Sequence, residues 1–205
     1  MTSGGGGGIH SDMWTRLLCA LVLFSQVSSA QVAAPLEVVK SAEAAVNEMG
    51  KKIVMGDHGV AVDRMYPQWK ERLAKRVGGR EKLEEQLRSI GETMARNGIS
   101  IVSVETHGEP MAHEVWPGKD ADGNEVMTKW LLLVPTVTEL RILRDGDPKP
   151  SRLKMYGFQV AVADKDKLEW TFINGSDVTV SDLRSFFTSL PANLELPEVK
   201  HEDVE

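Results

Sequence analysis

The sequence predicts a domain of the α+β class, because two kinds of hydrophobic periodicity follow one another along the chain. Segments in which apolar residues recur every three or four positions come first and predict helices. Segments with a period of two begin after residue 98 and predict strands. Turns rather than helices separate these strands, so we expect an antiparallel meander against which the N-terminal helices pack.

The N-terminal helices are predicted from apolar stripes that glycine and proline interrupt. Four helical segments are expected: residues 35–55, 58–65, 68–76 and 79–97. Tyr66 precedes Pro67, and a residue before proline is pushed out of the helical region, so the chain must break there. Asn97-Gly98 is a strong stop for the last of the four.

The strands are predicted after this stop. Four segments are expected: residues 99–108, 126–143, 153–163 and 168–174. Pro135 lies inside the longest one and predicts a bulge or an edge position, because proline has no N–H for a ladder. Asp122-Gly123-Asn124 predicts an exposed hairpin connection over residues 118–125.

A helix is expected after the last strand. Thr179 is its predicted N-cap, with Asp182 three residues further on, and Pro191 stops it. Its apolar stripe consists of Leu183, Phe186, Phe187 and Leu190. Residues 198–205 carry acids without apolar periodicity, so we expect an acidic disordered tail.

Residues 1–30 are predicted to be a leader and a signal peptide, which leaves residues 31–197 as a single domain. One cation precedes an apolar run of 8 residues, Leu17 to Phe24, and Ser28 and Ala30 are small residues at positions −3 and −1. The run is shorter than the roughly 20 residues that a membrane-spanning helix needs. We therefore expect cleavage after Ala30 and a periplasmic or secreted protein without stable membrane insertion.

Two alternatives to a cleaved signal peptide are an uncleaved anchor and a lipid anchor on Cys19. Cys19 follows Leu17-Leu18 rather than a small residue and lies early in the apolar run, which argues against lipidation. It is also the only cysteine. The predicted mature chain therefore has no disulfide, thiolate chemistry or cysteine-bound zinc.

Composition makes nucleic acid an unexpected partner. The chain has 24 Lys and Arg against 30 Asp and Glu, for a net charge of −6. Binding to a phosphate backbone needs clustered cations. No cofactor is expected either, because no cofactor motif is visible.

Three short phrases resemble the NTF2-like superfamily: Gly56-Asp57, the segment 79–83 (GREKL) and the segment 170–175 (WTFING). The resemblance implies a cone in which N-terminal helices pack on a curved antiparallel sheet that leaves a pocket. The extra C-terminal helix is similar to that of small exported bacterial members of uncharacterised function. A cystatin-like fold is the alternative, but several helices before the first strand argue against it.

Candidate pocket residues are polar or aromatic side chains that such a fold could bring together: Tyr66, Trp69, Glu105, His107, Trp130 and Tyr156. If the first strand stays regular, Glu105 and His107 share a face with Ile99 and Ile101 and point towards the core. The alternative is that the strand end exposes both. No pair has diagnostic catalytic spacing, so no catalytic residue is assigned. The histidines and acids of residues 105–114 are the only cluster of metal-binding types, and no metal is expected there.

We therefore expect an exported, non-enzymatic domain that binds a small apolar ligand or a protein partner in or around an NTF2-like pocket. The alternative is a small-molecule isomerase, dehydratase or hydrolase that uses one pocket carboxylate or histidine. A third hypothesis, which the resemblance implies, is a homodimer formed through the sheet face.

Overall fold

The structure of the chain is a computed structural model, and it describes residues 33–116, 121–124, 126–143, 146 and 149–204. The predicted signal peptide lies outside these residues. The helices are α1 (Leu36–Val54), α2 (Gly59–Asp63), α3 (Pro67–Val77), α4 (Arg80–Arg88), α5 (Ile90–Arg96) and α6 (Val180–Phe186), with a 3₁₀ turn at Gly175–Asp177. The strands are β1 (Ile99–Thr106), β2 (Met111–Val115), β3 (Lys129–Ile142), β4 (Ser151–Asp164), β5 (Thr171–Asn174) and β6 (Lys200–Val204). The α+β class is confirmed.

The helix α1 forms where the sequence predicts it and buries one apolar face. That face consists of Val38, Ala42, Ala45, Val46 and Met49. Gly50 lets the helix approach β1 closely, because a Cβ at this position would lie 2.6 Å from the backbone oxygen of Val104. No helix within the described part of the chain is long and apolar enough to span a membrane.

The helix predicted over residues 79–97 is divided into α4 and α5 at Ser89. The Ser89 hydroxyl donates a hydrogen bond of 2.9 Å to the carbonyl of Gln86. A serine hydroxyl that bonds back to the preceding turn competes with the helical hydrogen bonds. The apolar stripe continues across the division, which explains why periodicity alone did not reveal it.

The sheet is built on β3 and β4, which pair antiparallel along their whole length from Lys129↔Asp164 to Ile142↔Ser151. Two short strands lie end to end along the outer edge of each. β1 and β2 pair with successive parts of β3, and β6 and β5 pair with successive parts of β4. The four predicted strands follow one another in the sheet as β1-β3-β4-β5, which confirms the antiparallel order, whereas β2 was not predicted.

Pro135 lies within β3 without a bulge in that strand, because its neighbour is interrupted instead. β2 pairs with residues 129–133 of β3 and β1 with residues 136–142, so Pro135 faces the gap between them. Its carbonyl accepts a 2.8 Å hydrogen bond from the His107 N–H. The N and C=O of one strand residue point to the same side, so no ladder bond is lost.

Both faces of the sheet are covered where β3 begins. Trp130, Leu132 and Val134 pack in a cluster with the buried face of α1, whereas Leu131 and Leu133 belong to a second cluster. The second cluster contains Tyr66, Trp69, Leu183 and Phe187. Alternate residues of a strand point to opposite faces. The sheet therefore lies between α1 on one face and α3 with α6 on the other, and the cone that the resemblance implies stays a prediction.

The chain crosses from one face to the other at the predicted break before Pro67. The Tyr66 N–H donates to the Phe172 carbonyl at 2.8 Å, and the Phe172 N–H donates to the Arg64 carbonyl at 2.8 Å. Tyr66 is extended, with φ −56° and ψ 125°, as a residue before proline should be. The Arg64–Tyr66 segment thus runs beside β5 before α3 begins.

The C-terminal helix α6 begins as predicted, at a capping box. The Thr179 side chain accepts from the Asp182 N–H at 3.1 Å, and the Asp182 carboxylate accepts from the Thr179 N–H at 3.1 Å. The helix ends at Phe186, but Phe187 and Leu190 are still buried with Leu183. The predicted apolar stripe is therefore largely buried, although only part of it is helical.

The prediction that residues 198–205 form a disordered tail is wrong for most of that segment. Lys200–Val204 form β6, which pairs antiparallel with the Arg152–Tyr156 part of β4. Its side chains are exposed except that of Val204, which is half-buried. The strand is formed by backbone pairing with an available edge, which a search for apolar periodicity does not detect.

Candidate functional site

The most spacious of the cavities that contain a predicted candidate is a cleft at the end of the sheet, which we call the Tyr66 cleft. Its volume is about 860 Å³. Its walls come from α1, from the Arg64–Gln68 segment, and from the ends of β3, β4 and β5 that meet there. Its lining includes Glu48, Arg64, Tyr66, Lys129, Asp164 and Trp170.

Strand register places the charged pair of the cleft. Lys129 begins β3 and Asp164 ends β4, and the two residues lie directly opposite each other in the ladder. Their side chains form an ion pair. The register of β3 and β4 therefore fixes the position of this ion pair at the end of the sheet.

Tyr66 forms part of the cleft wall and is held rigidly. Its ring packs against Phe187 and Phe186, with centroid separations of 5.5 and 6.0 Å. Burial, and to a lesser extent the negative charge of Asp164, raises the pKa of Tyr66 to about 12. The hydroxyl therefore stays protonated at neutral pH, and it has no hydrogen-bond partner in the described ranges. It is available to donate a hydrogen bond to a ligand.

Arg64 provides a second unused donor. Its Nη1 atom is buried and makes no hydrogen bond within the described residues. Its nearest carboxylate is that of Glu48, at 3.9 Å from Nη1, which is beyond hydrogen-bond distance. Glu48 is instead paired with Lys52 at 3.1 Å, and this hydrogen bond and charge hold the pKa of Glu48 below its usual value.

The remaining cleft wall is apolar at the back and acidic at the rim. The apolar part consists of Ala44, Ala45, Val162, Ala163, Leu168 and Trp170. The Trp170 indole N–H donates to the Ser41 hydroxyl oxygen at 2.9 Å, which fixes the ring. The lining includes four carboxylates, Glu48, Asp63, Asp164 and Glu169, against the two cations Arg64 and Lys129. Glu48 and Asp63 are also paired with Lys52 and Arg88, so the charges at the cleft nearly balance.

Trp69 and Trp130, predicted as pocket residues, lie in the core instead. Trp69 is 1% exposed and Trp130 is 6% exposed. Trp69 packs edge-on against Phe186 in the α3 and α6 layer, and Trp130 packs in the cluster beneath α1. Neither side chain lines the Tyr66 cleft. Large aromatic side chains between a helix and a sheet contribute mainly burial.

Glu105 and His107 are exposed, as the alternative interpretation of the strand predicts, but the cause is a bulge in β1 rather than the end of the strand. The register shifts between Ile101 and Ser103, which reverses the faces of all later residues in the strand. Thr106 turns towards α1 and its N–H donates to the Asn47 side chain at 2.9 Å. Glu105 and His107 are consequently exposed.

The structure does bring His107 and Tyr156 together, in a second and smaller cavity of about 290 Å³. Their ring centroids lie 5.4 Å apart in an edge-to-face arrangement. The Tyr156 hydroxyl donates to the Glu202 carboxylate at 3.2 Å. This His107–Tyr156 pocket is separate from the Tyr66 cleft, so the six candidates do not form one site.

The metal-binding residue types do not converge in the described ranges, where no group of three or more His, Cys, Asp or Glu could hold a metal ion. His113 is half-buried in β2, and its Nε2 atom is buried without a hydrogen-bond partner among the described residues. Burial holds the pKa of His113 below its ordinary value of 6.5.

The sequence-based search missed Arg64, Lys129 and Asp164 as cleft residues. Lys129 and Asp164 are 35 positions apart, and only the register of β3 and β4 places them together. Arg64 directly precedes the Met65-Tyr66-Pro67 crossing, so its position could have been suggested by the predicted chain break.

No protein-family model matches this chain, and neither a curated protein nor a solved structure matches it. The chemistry of the Tyr66 cleft therefore follows from its own geometry. An apolar back wall beside two unused hydrogen-bond donors fits a small molecule that has an apolar body and an oxygen acceptor.

Proposed function

We propose that this chain is an exported, non-enzymatic domain of NTF2-like fold that binds a small ligand in the Tyr66 cleft. The observation that carries the proposal is the pair of unused donors, the Tyr66 hydroxyl and Arg64 Nη1, at a cavity of about 860 Å³. Ligand pockets commonly measure about 300–1,000 Å³ and combine apolar walls with a few polar groups. Buried polar atoms usually have partners, so the buried and unpaired Arg64 Nη1 favours a ligand there, and Tyr66 adds a second donor to the same lining.

The charge of the cleft favours a neutral ligand. Three of the four carboxylates are paired with cations: Glu48 with Lys52, Asp63 with Arg88 and Asp164 with Lys129. Glu169 and Arg64 remain and balance each other, so the cleft offers no net positive charge to attract a free anion. A carbonyl or hydroxyl oxygen can accept from Tyr66 and Arg64 without needing such a charge. We therefore propose an apolar compound with an alcohol, ketone or amide oxygen.

The chemistry of the cleft supports binding rather than catalysis. With a pKa of about 12, Tyr66 donates a hydrogen bond at neutral pH but does not serve as a general base. Asp164 is occupied by its ion pair with Lys129. Of the groups predicted for the enzyme alternative, Glu105 and His107 are exposed and lie outside the cleft.

The test compares compounds of equal chain length and two matched protein variants. Ketones and alcohols should bind more tightly than carboxylates, as measured by calorimetry or by quenching of tryptophan fluorescence. Tyr66→Phe should weaken binding about 2- to 10-fold, because one hydrogen bond contributes about 0.5–1.5 kcal/mol. Tyr156→Phe, which removes a hydroxyl outside the cleft, should leave the affinity unchanged.

Native mass spectrometry of protein purified from its own source compartment should in addition detect a bound small molecule. Equal affinities of the wild type and Tyr66→Phe, or tightest binding of the carboxylates, would contradict the proposal. Turnover of isomerase, dehydratase or esterase substrates that disappears in Glu105→Gln or His107→Ala would favour the enzyme alternative.

A further inference from the structure

We propose that the Arg152–Tyr156 edge of β4 is a docking site for an extended acidic strand of a partner protein. In the structure, β6 occupies this edge through five antiparallel residue pairs, from Arg152↔Val204 to Tyr156↔Lys200. β6 shows which kind of strand the edge accepts. The proposal is that β6 is a replaceable occupant and that a partner strand takes its place. This inference is independent of the ligand proposed for the Tyr66 cleft.

The backbone groups that would receive the partner strand are identified by the register. The N and C=O of Pro135 point towards β1 and away from β4. The N–H and C=O of its partner Phe158 therefore point away from β3, towards the other edge of β4. Every second residue of β4 points these groups to the same edge. Tyr156, Lys154 and Arg152 therefore present their N–H and C=O groups to β6. Main-chain hydrogen bonds of this kind provide affinity when a strand is added to a sheet edge.

Few apolar contacts hold β6 in place. Four of its five residues are exposed, and only Val204 is half-buried. The preceding segment is anchored differently, because Leu194 is buried and Leu196 packs against the core cluster of α6. Release of β6 would therefore uncover almost no apolar surface and would leave the core intact. A strand held mainly by backbone pairing and charge is easily exchanged for another.

Charge determines which strand fits. The β4 edge from Ser151 to Tyr156 contains the two cations Arg152 and Lys154 and no acid. Glu202 of β6 lies directly opposite Lys154, and its carboxylate accepts from the Tyr156 hydroxyl at 3.2 Å. Glu202 forms its ion pair with Lys200 of its own strand at 3.3 Å, and Lys154 has no ion pair among the described residues. The Tyr156 hydroxyl, together with the positive charge of Lys154 at the facing position, therefore favours a strand with an acidic residue at the central position.

A side-chain pocket lies at the end of this edge. The His107–Tyr156 pocket has Pro197 and Lys200 on its opposite wall, so it opens where β6 begins. The Lys200 ammonium group lies 5.0 Å from the centre of the Tyr156 ring. A partner strand could place a cationic or apolar side chain there. His107 and Tyr156 would then contribute to the specificity of strand binding.

The first experiment displaces β6 with a proline and uses a closely matched control. The Glu202 N–H points to Lys154, whereas the Asp203 N–H points away from β4, where no described strand lies. Glu202→Pro should therefore release β6, and Asp203→Pro, with the same change in charge, should not. Hydrogen exchange should show that the Lys154 and Tyr156 amides lose protection in Glu202→Pro only. Unchanged protection in Glu202→Pro would overturn the idea that β6 is replaceable.

The second experiment measures strand binding in trans by fluorescence anisotropy. The probe is a labelled peptide with the sequence of residues 198–204 (EVKHEDV). It should bind Glu202→Pro at least tenfold more tightly than the wild type or Asp203→Pro. Adding Lys154→Glu to Glu202→Pro should weaken binding, and a peptide with lysine at the central acidic position should bind more weakly than the acidic peptide. Absence of peptide binding to an opened edge would overturn the proposal.

Two further outcomes are decisive. If Glu202→Pro forms dimers by sedimentation analysis and Lys154→Glu prevents them, a second copy of this chain is the occupant and a separate partner is excluded. If Glu202→Pro does not fold, Glu202→Lys supplies the test by placing like charges opposite each other at Lys154. Exchange protection of the edge that is unchanged in Glu202→Lys would then contradict the proposal.

Discussion

Tyr66 contributes to three parts of the structure. The backbone N–H bonds to Phe172 at the sheet edge, and the ring packs against Phe187 of the C-terminal layer. The residue as a whole lines the cleft. One side chain thus connects the crossing between the two faces with the proposed ligand site, so Tyr66→Phe is a more informative variant than Tyr66→Ala.

His113 should make the stability of the folded protein depend on pH. Its folded-state pKa lies below the ordinary 6.5, so the unfolded chain binds a proton at a pH where the folded chain does not. The free energy of unfolding should therefore fall as the pH decreases below about 6.5. Denaturant unfolding at a series of pH values measures this effect.

The matched variants for this prediction are His113→Phe and His107→Phe. His113→Phe should reduce the loss of stability between neutral and mildly acidic pH, because it removes the buried titrating group. His107→Phe replaces an exposed histidine and controls for the substitution itself. An identical pH profile for the wild type and His113→Phe would show that other groups cause it.

The two phenylalanines at the end of α6 should contribute differently to its docking. Phe187 is fully buried, whereas Phe186 is half-buried, with the Arg72 guanidinium 4.1 Å from its ring centre. Phe187→Ala should lower the free energy of unfolding by about 3–5 kcal/mol. Phe186→Ala should have a smaller effect, because part of its surface already contacts water. Thermal and denaturant unfolding of both variants tests the order.

A set of polar contacts also fixes α6 on α3. Arg72 donates to Asp182 at 3.0 Å and to the Ser185 hydroxyl at 2.6 Å. Hydrogen bonding from Thr179 is the largest of the effects that lower the pKa of Asp182, and the charge of Arg72 adds to it. Asp182 is thus both part of the helix cap and the residue that binds the facing helix. The position of α6 on the sheet depends on this double use as well as on apolar burial.

The molecule as a whole has a three-layer arrangement near the start of β3, and the Tyr66 cleft lies where the chain crosses between the outer layers. The part of β3 and β4 furthest from this crossing has a more open and more charged face, where Arg152 pairs with Glu139 at 3.1 Å. This arrangement separates the proposed ligand site from the proposed strand-docking edge. A homodimer through the sheet face stays a prediction.

Export is the prediction that concerns the chain as a whole. We propose that the mature protein begins at Gln31, because a short apolar run and small residues at positions −3 and −1 precede it. N-terminal sequencing of protein from the extracytoplasmic fraction should give the sequence QVAAP. Ala30→Arg should block cleavage, since signal peptidases require a small residue at that position. Intact residues 13–30 in a membrane fraction of the wild type would show an uncleaved anchor.

Local features of the sequence determined most of the secondary-structure elements and their ends. The α1 stripe, the break before Pro67 and the capping box of Thr179 with Asp182 each depend on residues within one or two helical turns. Their physical causes are amphipathic burial, the steric effect of proline and satisfaction of free N–H groups. Such effects act before the chain is folded, and they can be recognised without knowing any distant contact.

Only the tertiary structure decided which faces and edges come together. One extra residue at the β1 bulge turned Glu105 and His107 outwards, because strand side chains alternate with a period of two. The weakly apolar β6 became a strand because an edge of β4 was available to it. The Tyr66 cleft likewise depends on the pairing of Lys129 with Asp164 across 35 residues. Register and edge pairing are set by contacts distant in sequence, so no local pattern specifies them.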